Sequence, residues 1–122
     1  MMTKILVVDD SGTVRQQVSL ALTQVGYQVV EAHDGGSALA ALSHGDVSLA
    51  ICDVNMPGMN GLELLEHLKR ERKHIGVPFV MLTTETAPVV IDRAKRAGAR
   101  GWIVKPFNAK LMVEAVSNLL RR

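Results

Sequence analysis

The sequence predicts an α/β domain built on a parallel sheet with helices covering both faces. Short β-rich runs recur at 5–8, 27–30, 49–52, 79–82 and 102–104, and the stretches between them carry the three-and-four apolar spacing of helices. The chain has 122 residues, 48% hydrophobic and 21% charged, enough for one domain with a real core and too little for a comfortable second. A single domain over 1–122 without an output domain is therefore expected.

Each element has a local reason. Ile5-Leu6-Val7-Val8 reads as the first strand, and Val14, Val18, Ala21, Leu22 and Val25 then make one apolar stripe along the first helix. Gly26 stops that helix before the second strand. The second helix is expected over 37–43, alanine-rich and weakly specified, with Gly35-Gly36 and His44-Gly45 as punctuation on either side. After Leu49-Ala50-Ile51-Cys52, Asn60 is placed to cap a third helix that buries Leu62, Leu65 and Leu68. Pro88 suits the first turn of a fourth helix running to Ala97, where Gly98 follows as a stop. Asn108 caps the fifth, whose inward face is expected to be Leu111, Ala115, Leu119 and either Met112 or Val116.

Composition removes several function classes. Fourteen Lys and Arg against twelve Asp and Glu leave a formal charge of only +2, too slight to argue for nucleic acid without a stacking platform. The basic groups Lys69-Arg70-Glu71-Arg72-Lys73 and Arg93, Lys95, Arg96 and Arg100 read as solvated helix surface. Cys52 stands alone, so no intramolecular disulfide can form, and its apolar run marks it as a buried strand thiol. With no basic leader and no apolar stretch of about 18 residues, a soluble cytoplasmic protein without membrane insertion is expected. His33, His44, His67 and His74 lack metal-ligand spacing and are read as surface residues.

The chemistry gathers at strand ends. Asp9 and Asp10 follow the first strand and Asp53 follows the third, so in a parallel sheet three carboxylates would meet at one edge. Like charges repel, and a hard divalent cation such as Mg²⁺ keeps such groups ionised and close. Each acid alone has a plainer reading, a helix cap before Ser11 for the pair and a surface turn for Asp53, but their shared strand-end placement favours the metal. The turn Asp53-Val54-Asn55-Met56-Pro57-Gly58 would aim the Asn55 carbonyl back at that cation. Lys105, after the fifth strand, would pair with Asp53 and neutralise a phosphoryl oxygen, and its bond to Pro106 is a candidate for the cis form. The Thr83 hydroxyl would donate to a second phosphoryl oxygen. The glycines make no nucleotide-type phosphate loop, so a phosphodonor rather than bound ATP would bring the phosphoryl group.

Four motifs in order, Asp9-Asp10, the block Asp53-Val54-Asn55-Met56-Pro57-Gly58-Met59-Asn60-Gly61, Thr83, and Lys105-Pro106-Phe107, resemble the receiver domain of two-component response regulators. The likeness runs from Lys4 to Leu120 and is closer to the single-domain chemotaxis regulators. It implies a flavodoxin-like (βα)5 three-layer sandwich with strand order 2-1-3-4-5, an order cited for this family as a known example rather than deduced from the residues. It also implies that Asp53 accepts a phosphoryl group from a histidine of a chemotaxis-type sensor kinase, that Asp9, Asp10, Asp53 and the Asn55 carbonyl hold Mg²⁺, and that Lys105 and Thr83 hold phosphoryl oxygens.

The resemblance further implies a switch in which Thr83 moves and an aromatic on the fifth strand turns inward. That residue is Trp102 here, where the best-known chemotaxis proteins have tyrosine, so the phenolic hydroxyl is lost. Ala87, Val90, Ile91, Lys95, Trp102 and Lys105 would form the output face, toward a flagellar motor switch protein or a phosphatase, and Asn55 and Glu85 would set the phosphoryl lifetime. A monomer is expected. A phosphorelay shuttle, a phosphate sink and a non-flagellar regulator share the same chemistry and stay open.

Other classes fit less well. A haloacid dehalogenase phosphatase wants an aspartate where Ser11 stands, and the chain has no room for a substrate cap. A flavin phosphate seeks backbone donors and hydroxyls rather than a carboxylate cluster. A degenerate, scaffold-only receiver is disfavoured by the complete set of acids, hydroxyl and lysine.

Overall fold

Strand and helix alternate without exception through the computed structural model, which describes residues 3–121. In chain order the elements are β1 (Lys4–Val8), α1 (Gly12–Gln24), β2 (Gln28–Ala32), α2 (Gly35–Leu42), β3 (Leu49–Cys52), α3 (Gly61–Arg70), β4 (Phe79–Thr83), α4 (Pro88–Arg96), β5 (Gly101–Val104) and α5 (Ala109–Leu120). The strands form one parallel sheet ordered β2-β1-β3-β4-β5. This is the flavodoxin-like (βα)5 architecture.

Because side chains alternate across a pleated strand, each strand feeds two cores. Ile5, Val7, Leu49, Ile51, Val80 and Leu82 pack with Val18 and Leu22 of α1 and Met112 and Val116 of α5. Leu6, Val8, Ala50, Cys52 and Met81 point the other way, onto Ala38 and Leu42 of α2, the leucines of α3, and Ala94 of α4. Burial on both sides explains why β1, β3 and β4 read as continuous apolar runs rather than alternating ones.

Three local expectations need correction. Helix α2 starts at Gly35, two residues early, because Asp34 caps it: the Ser37 N–H donates to Asp34 Oδ1 at 2.8 Å and the Asp34 N–H donates to Ser37 Oγ at 3.2 Å. Gly35 is no breaker there; a Cβ on it would lie 3.0 Å from the Met59 Cβ, a contact that would make Met59 give way by a few tenths of an ångström. Val25 lies beyond the last turn of α1 and is 55% exposed. In α5 the apolar stripe runs through Met112 and Val116 together, while Leu111, one position and so about 100° around the helix, is 63% exposed.

The third helix is set by Asn60, whose side chain accepts from the Glu63 N–H at 2.9 Å while the Asn60 N–H donates to Glu63 Oε1 at 3.0 Å. Its buried side is Leu62, Leu64, Leu65 and Leu68. Helix α3 is tied to α4 by a two-point pair, with Arg93 Nε donating to Glu66 Oε2 at 2.8 Å and Nη2 to Oε1 at 2.6 Å. That bond holds the Glu66 carboxyl below the usual carboxylate range, although the pair's exposure screens its contribution. The start of α3 also presses on the loop after β3: a Cβ on Gly61 would fall 2.1 Å from the Asp53 carbonyl oxygen. No rotamer change can relieve a clash with backbone, so Gly61→Ala is expected to cost about 3 kcal/mol or more, read as a lower midpoint in urea unfolding.

Candidate functional site

Register decides which side chains meet at the carboxyl edge of the sheet. Val8 pairs with Cys52, so Asp9 and Asp53 leave their strands at the same level and on the pleat face shared by Val7 and Ile51. One carboxylate oxygen each from Asp9, Asp10 and Asp53 lies within 4.8 Å of the other two. Asp9 and Asp53 are buried, 2% and 5% exposed, whereas Asp10 faces solvent.

Lys105 follows Ile103 on the same pleat face and extends over this cluster, donating to Asp9 Oδ2 at 2.8 Å and Asp53 Oδ2 at 3.1 Å. Burial works against the ammonium, but its hydrogen bonds to Asp9 and Asp53 and the charge of both outweigh it, so the Lys105 pKa lies above the ordinary lysine value. The Lys105–Pro106 peptide bond is cis. Further donors reach the same acids: the Ser11 N–H donates to Asp9 Oδ1 at 2.9 Å and the Asn55 N–H to Asp53 Oδ1 at 3.1 Å.

The other pleat face carries a second set. Met81 pairs with Trp102 and Thr83 with Val104, so Thr83 and Trp102 share the side of the sheet that α4 covers. Thr83 is fully buried; its hydroxyl accepts from the Glu85 N–H at 3.2 Å and has Asn55 Nδ2 at 3.5 Å. The Trp102 indole N–H donates to the Glu85 carbonyl at 3.1 Å. Glu85 thus ties the hydroxyl to the half-buried indole. Ala87, Val90 and Ile91 are half-buried on and just before α4, and Lys95 is exposed.

One contributor escapes a reading by motif. Arg15, in the first turn of α1, donates from Nη1 to the Asp9 carbonyl at 2.6 Å and from Nε to Glu31 Oε1 on β2 at 3.0 Å. Its only local signal is a place four residues after the α1 cap Ser11. Cys52, next to Asp53, is fully buried, and burial followed by the charges of Asp53 and Asp9 pushes its thiol far up. Among the described residues no helix is long and apolar enough to cross a membrane.

Residues 5–117 match the family model described as the response regulator receiver domain. This chain belongs to that family. The receiver is 40% identical over 119 residues to the chemotaxis protein CheY homolog of Campylobacter jejuni, covering 96% of this chain and 92% of that one. It is 38% identical over 120 residues to CheY-3 of Vibrio cholerae, covering 98% and 92%. The solved structure of Vibrio cholerae CheY4 superposes with a TM-score of 0.90 at 41% identity, over 97% of this chain and 98% of that one. The receiver is a phosphorylation switch of the CheY-like kind, with an all-oxygen acidic cluster of the sort that takes a hard divalent cation. The donor set fits such an ion, since three carboxylates converge with Lys105 against them and, among the described residues, no histidine or cysteine ligand joins the group.

Lys105→Met leaves two buried carboxylates without their cation and is expected to cost the metal-free receiver about 3 kcal/mol in denaturant unfolding at neutral pH. A raised lysine pKa means that the pairing stabilises fully below the ordinary lysine value and is lost as pH rises through the raised one. The gap between wild type and Lys105→Met therefore closes in strongly alkaline buffer.

Proposed function

We propose that this receiver takes a phosphoryl group onto Asp53 from the phosphohistidine of a chemotaxis-type sensor kinase and passes the change to an output partner, in the first instance a flagellar motor switch protein. The observation that carries this reading is the Asp53 carboxylate held among Asp9, Asp10 and Lys105 at the open edge of the sheet. An Asp53 oxygen attacks phosphorus in line, the P–N bond breaks, and the histidine leaves as neutral imidazole after taking a proton. Water later attacks the acyl phosphate and returns free carboxylate and inorganic phosphate. Placement and charge compensation supply most of the rate.

Each residue has a stated part. Asp9, Asp10 and Asp53 with the Asn55 carbonyl would hold Mg²⁺, which when bound offsets the charge that builds on the phosphoryl oxygens. Lys105 exchanges carboxylate for a phosphoryl oxygen without leaving the site. Thr83 turns its hydroxyl from acceptor of the Glu85 N–H to donor toward the phosphoryl group, which frees the segment whose carbonyl holds Trp102. Trp102 then settles differently between β4 and α4, and the face of Ala87, Val90, Ile91, Lys95, Trp102 and Lys105 changes shape. Asn55, exposed beside the acceptor, and Glu85 control how fast water reaches phosphorus. A phosphatase that shortens the signal would approach the same edge, and the receiver acts as a soluble monomer.

The likeness to chemotaxis proteins of Campylobacter jejuni and Vibrio cholerae supports motor control over a phosphorelay shuttle or phosphate sink. Binding of the phosphorylated receiver to a flagellar switch peptide separates these, because a sink turns over phosphate without holding the peptide.

Incubation with acetyl phosphate and magnesium chloride is expected to add about 80 Da to Asp53 by mass spectrometry, with no adduct on Asp53→Asn or in excess chelator. Labelling at another residue, or none under conditions that label a known receiver, overturns the assignment. The single tryptophan makes its own reporter, so the emission of Trp102 is expected to shift with the adduct. Magnesium chloride alone is expected to raise the melting temperature of wild type. Asp10→Asn relieves like-charge repulsion, so that variant is expected to be about 1 kcal/mol more stable than wild type in chelator and to respond little to magnesium.

A further inference from the structure

The two basic clusters of the sequence, near residues 69–73 and 93–100, converge in space at the amino edge of the sheet, opposite the edge that carries Asp53. The Lys69 ammonium donates to the Arg96 carbonyl, which brings the last turns of α3 and α4 together. Beneath the segment that links α3 to β4 lies a cleft of ≈ 460 Å³. Its floor is aliphatic, with Leu65, Leu68 and Val77, while Lys69, Arg72, Lys73 and Arg100 stand around it and no carboxylate lines it. The cleft shares Lys69, Arg72 and Ala97 with a second one of ≈ 620 Å³ that continues along the α3–α4 groove past Arg70 and Arg96. Of the acids beside that second cleft, Glu66 is already taken by Arg93 and Asp92 pairs with Arg96 at 3.3 Å, which leaves the cations around the first cleft to set its charge. Ile75, on the lip, is 73% exposed, and the residues on either side of Lys73, Arg72 (φ 53) and His74 (φ 54), hold left-handed backbone that non-glycine residues rarely adopt.

We propose that this groove docks an acidic segment of a partner protein that carries an aliphatic side chain as its anchor. Charge complementarity selects the partner: Lys69, Arg72, Lys73 and Arg100, with no carboxylate against them among the described residues, surround an apolar floor, so the occupant supplies carboxylates to the rim and a branched side chain to the cleft. Nucleic acid fits poorly, because the rings at the cleft offer little open face for a base to stack on, Phe79 being only 3% exposed and His74 half-buried. A flat bilayer does not reach a floor sunk below its rim. Phe79 begins β4 and Thr83 ends it, so the groove and the phosphoryl site sit at opposite ends of the same strand, about 13 Å apart along it. A partner can therefore hold the receiver whether or not Asp53 is modified.

Fluorescence anisotropy with a labelled short peptide of alternating Glu and Leu pairs tests this, alongside a Glu-Ser peptide, a single-stranded oligodeoxynucleotide and phosphatidylserine vesicles. Wild type is expected to bind the Glu-Leu peptide best and less tightly as salt rises. The triple variant Arg72→Glu, Lys73→Glu, Arg100→Glu is expected to lose about tenfold or more in affinity, and Ile75→Ser several-fold, while both still take phosphate from acetyl phosphate at the wild-type level. Should the triple variant fail to fold, the glutamine versions of the same three positions give the same reading with a smaller loss. No binding by wild type, equal binding by the reversed-charge protein, equal affinity for the Glu-Ser peptide, or tighter binding of the oligonucleotide or vesicles overturns the proposal. Phosphorylation of Asp53 is scored separately, so failure here leaves the phosphoryl-transfer reading standing.

Discussion

Mutual repulsion among Asp9, Asp10 and Asp53, held with carboxylate oxygens inside 4.8 Å of one another, is the constraint to which the carboxyl edge of the sheet is built. Two of the three are almost wholly buried, where an unpaired charge costs several kcal/mol. Everything around them answers that charge. Lys105 meets Asp9 and Asp53 from β5, crossing above β4, and the backbone N–H groups of Ser11 and Asn55 each take a carboxylate oxygen. Arg15 fixes the Asp9 carbonyl from α1. The strand order is what makes this arrangement available, since it sets β3 between β1 and β4 and leaves β5 one strand further out.

The same edge is organised in two storeys by the pleat. Asp9, Asp53 and Lys105 belong to the side covered by α1 and α5, and Thr83 and Trp102 to the side covered by α4. Charge chemistry and shape change are thus separated by the thickness of one sheet, with Asn55 as the short link across it and Glu85 joining Thr83 to Trp102 on the α4 side. A group added to Asp53 has only to draw the Thr83 hydroxyl to disturb a hydrogen bond that ends on an indole at the surface. A switch of this kind needs two states of similar free energy, and bonds of this type differ by about 1 kcal/mol each, which suits a balance that one phosphoryl group can tip.

Much of this was legible in the sequence, because strand ends announce themselves. The β-rich runs stop at Asp9, Asp53, Thr83 and Lys105, and a parallel sheet brings such ends to one side. The parallel α/β class and the gathering of these residues at one edge follow from that, while the strand order came with the family resemblance. Where reading failed, a longer-range contact overruled a local signal. Gly35-Gly36 looked like a break, but the Asp34–Ser37 cap and the pressure of Met59 make the first glycine part of α2. The phase of α5 depends on which of two adjacent stripes meets α1 and the sheet, and Leu111 lost to Met112. Arg15 and Glu31 are 16 residues apart with no spacing rule between them, and their meeting with Asp9 appears only once β2 lies beside β1. The two basic clusters likewise looked like ordinary solvated surface until α3 and α4 were side by side.

Cys52 carries a consequence of its own. Its sulfur sits one residue from the acceptor aspartate, fully enclosed, with its proton held toward the Asp53 carbonyl at 3.3 Å and its ionisation opposed by burial and by two neighbouring negative charges. Peroxides and alkylating agents attack thiolates, and both burial and the neighbouring charges oppose this one. Asp53 therefore has a sulfur neighbour shielded from oxidation, and among the described sulfur-bearing residues the half-buried Met59, rather than Cys52 or the buried Met56, Met81 and Met112, lies open to an oxidant.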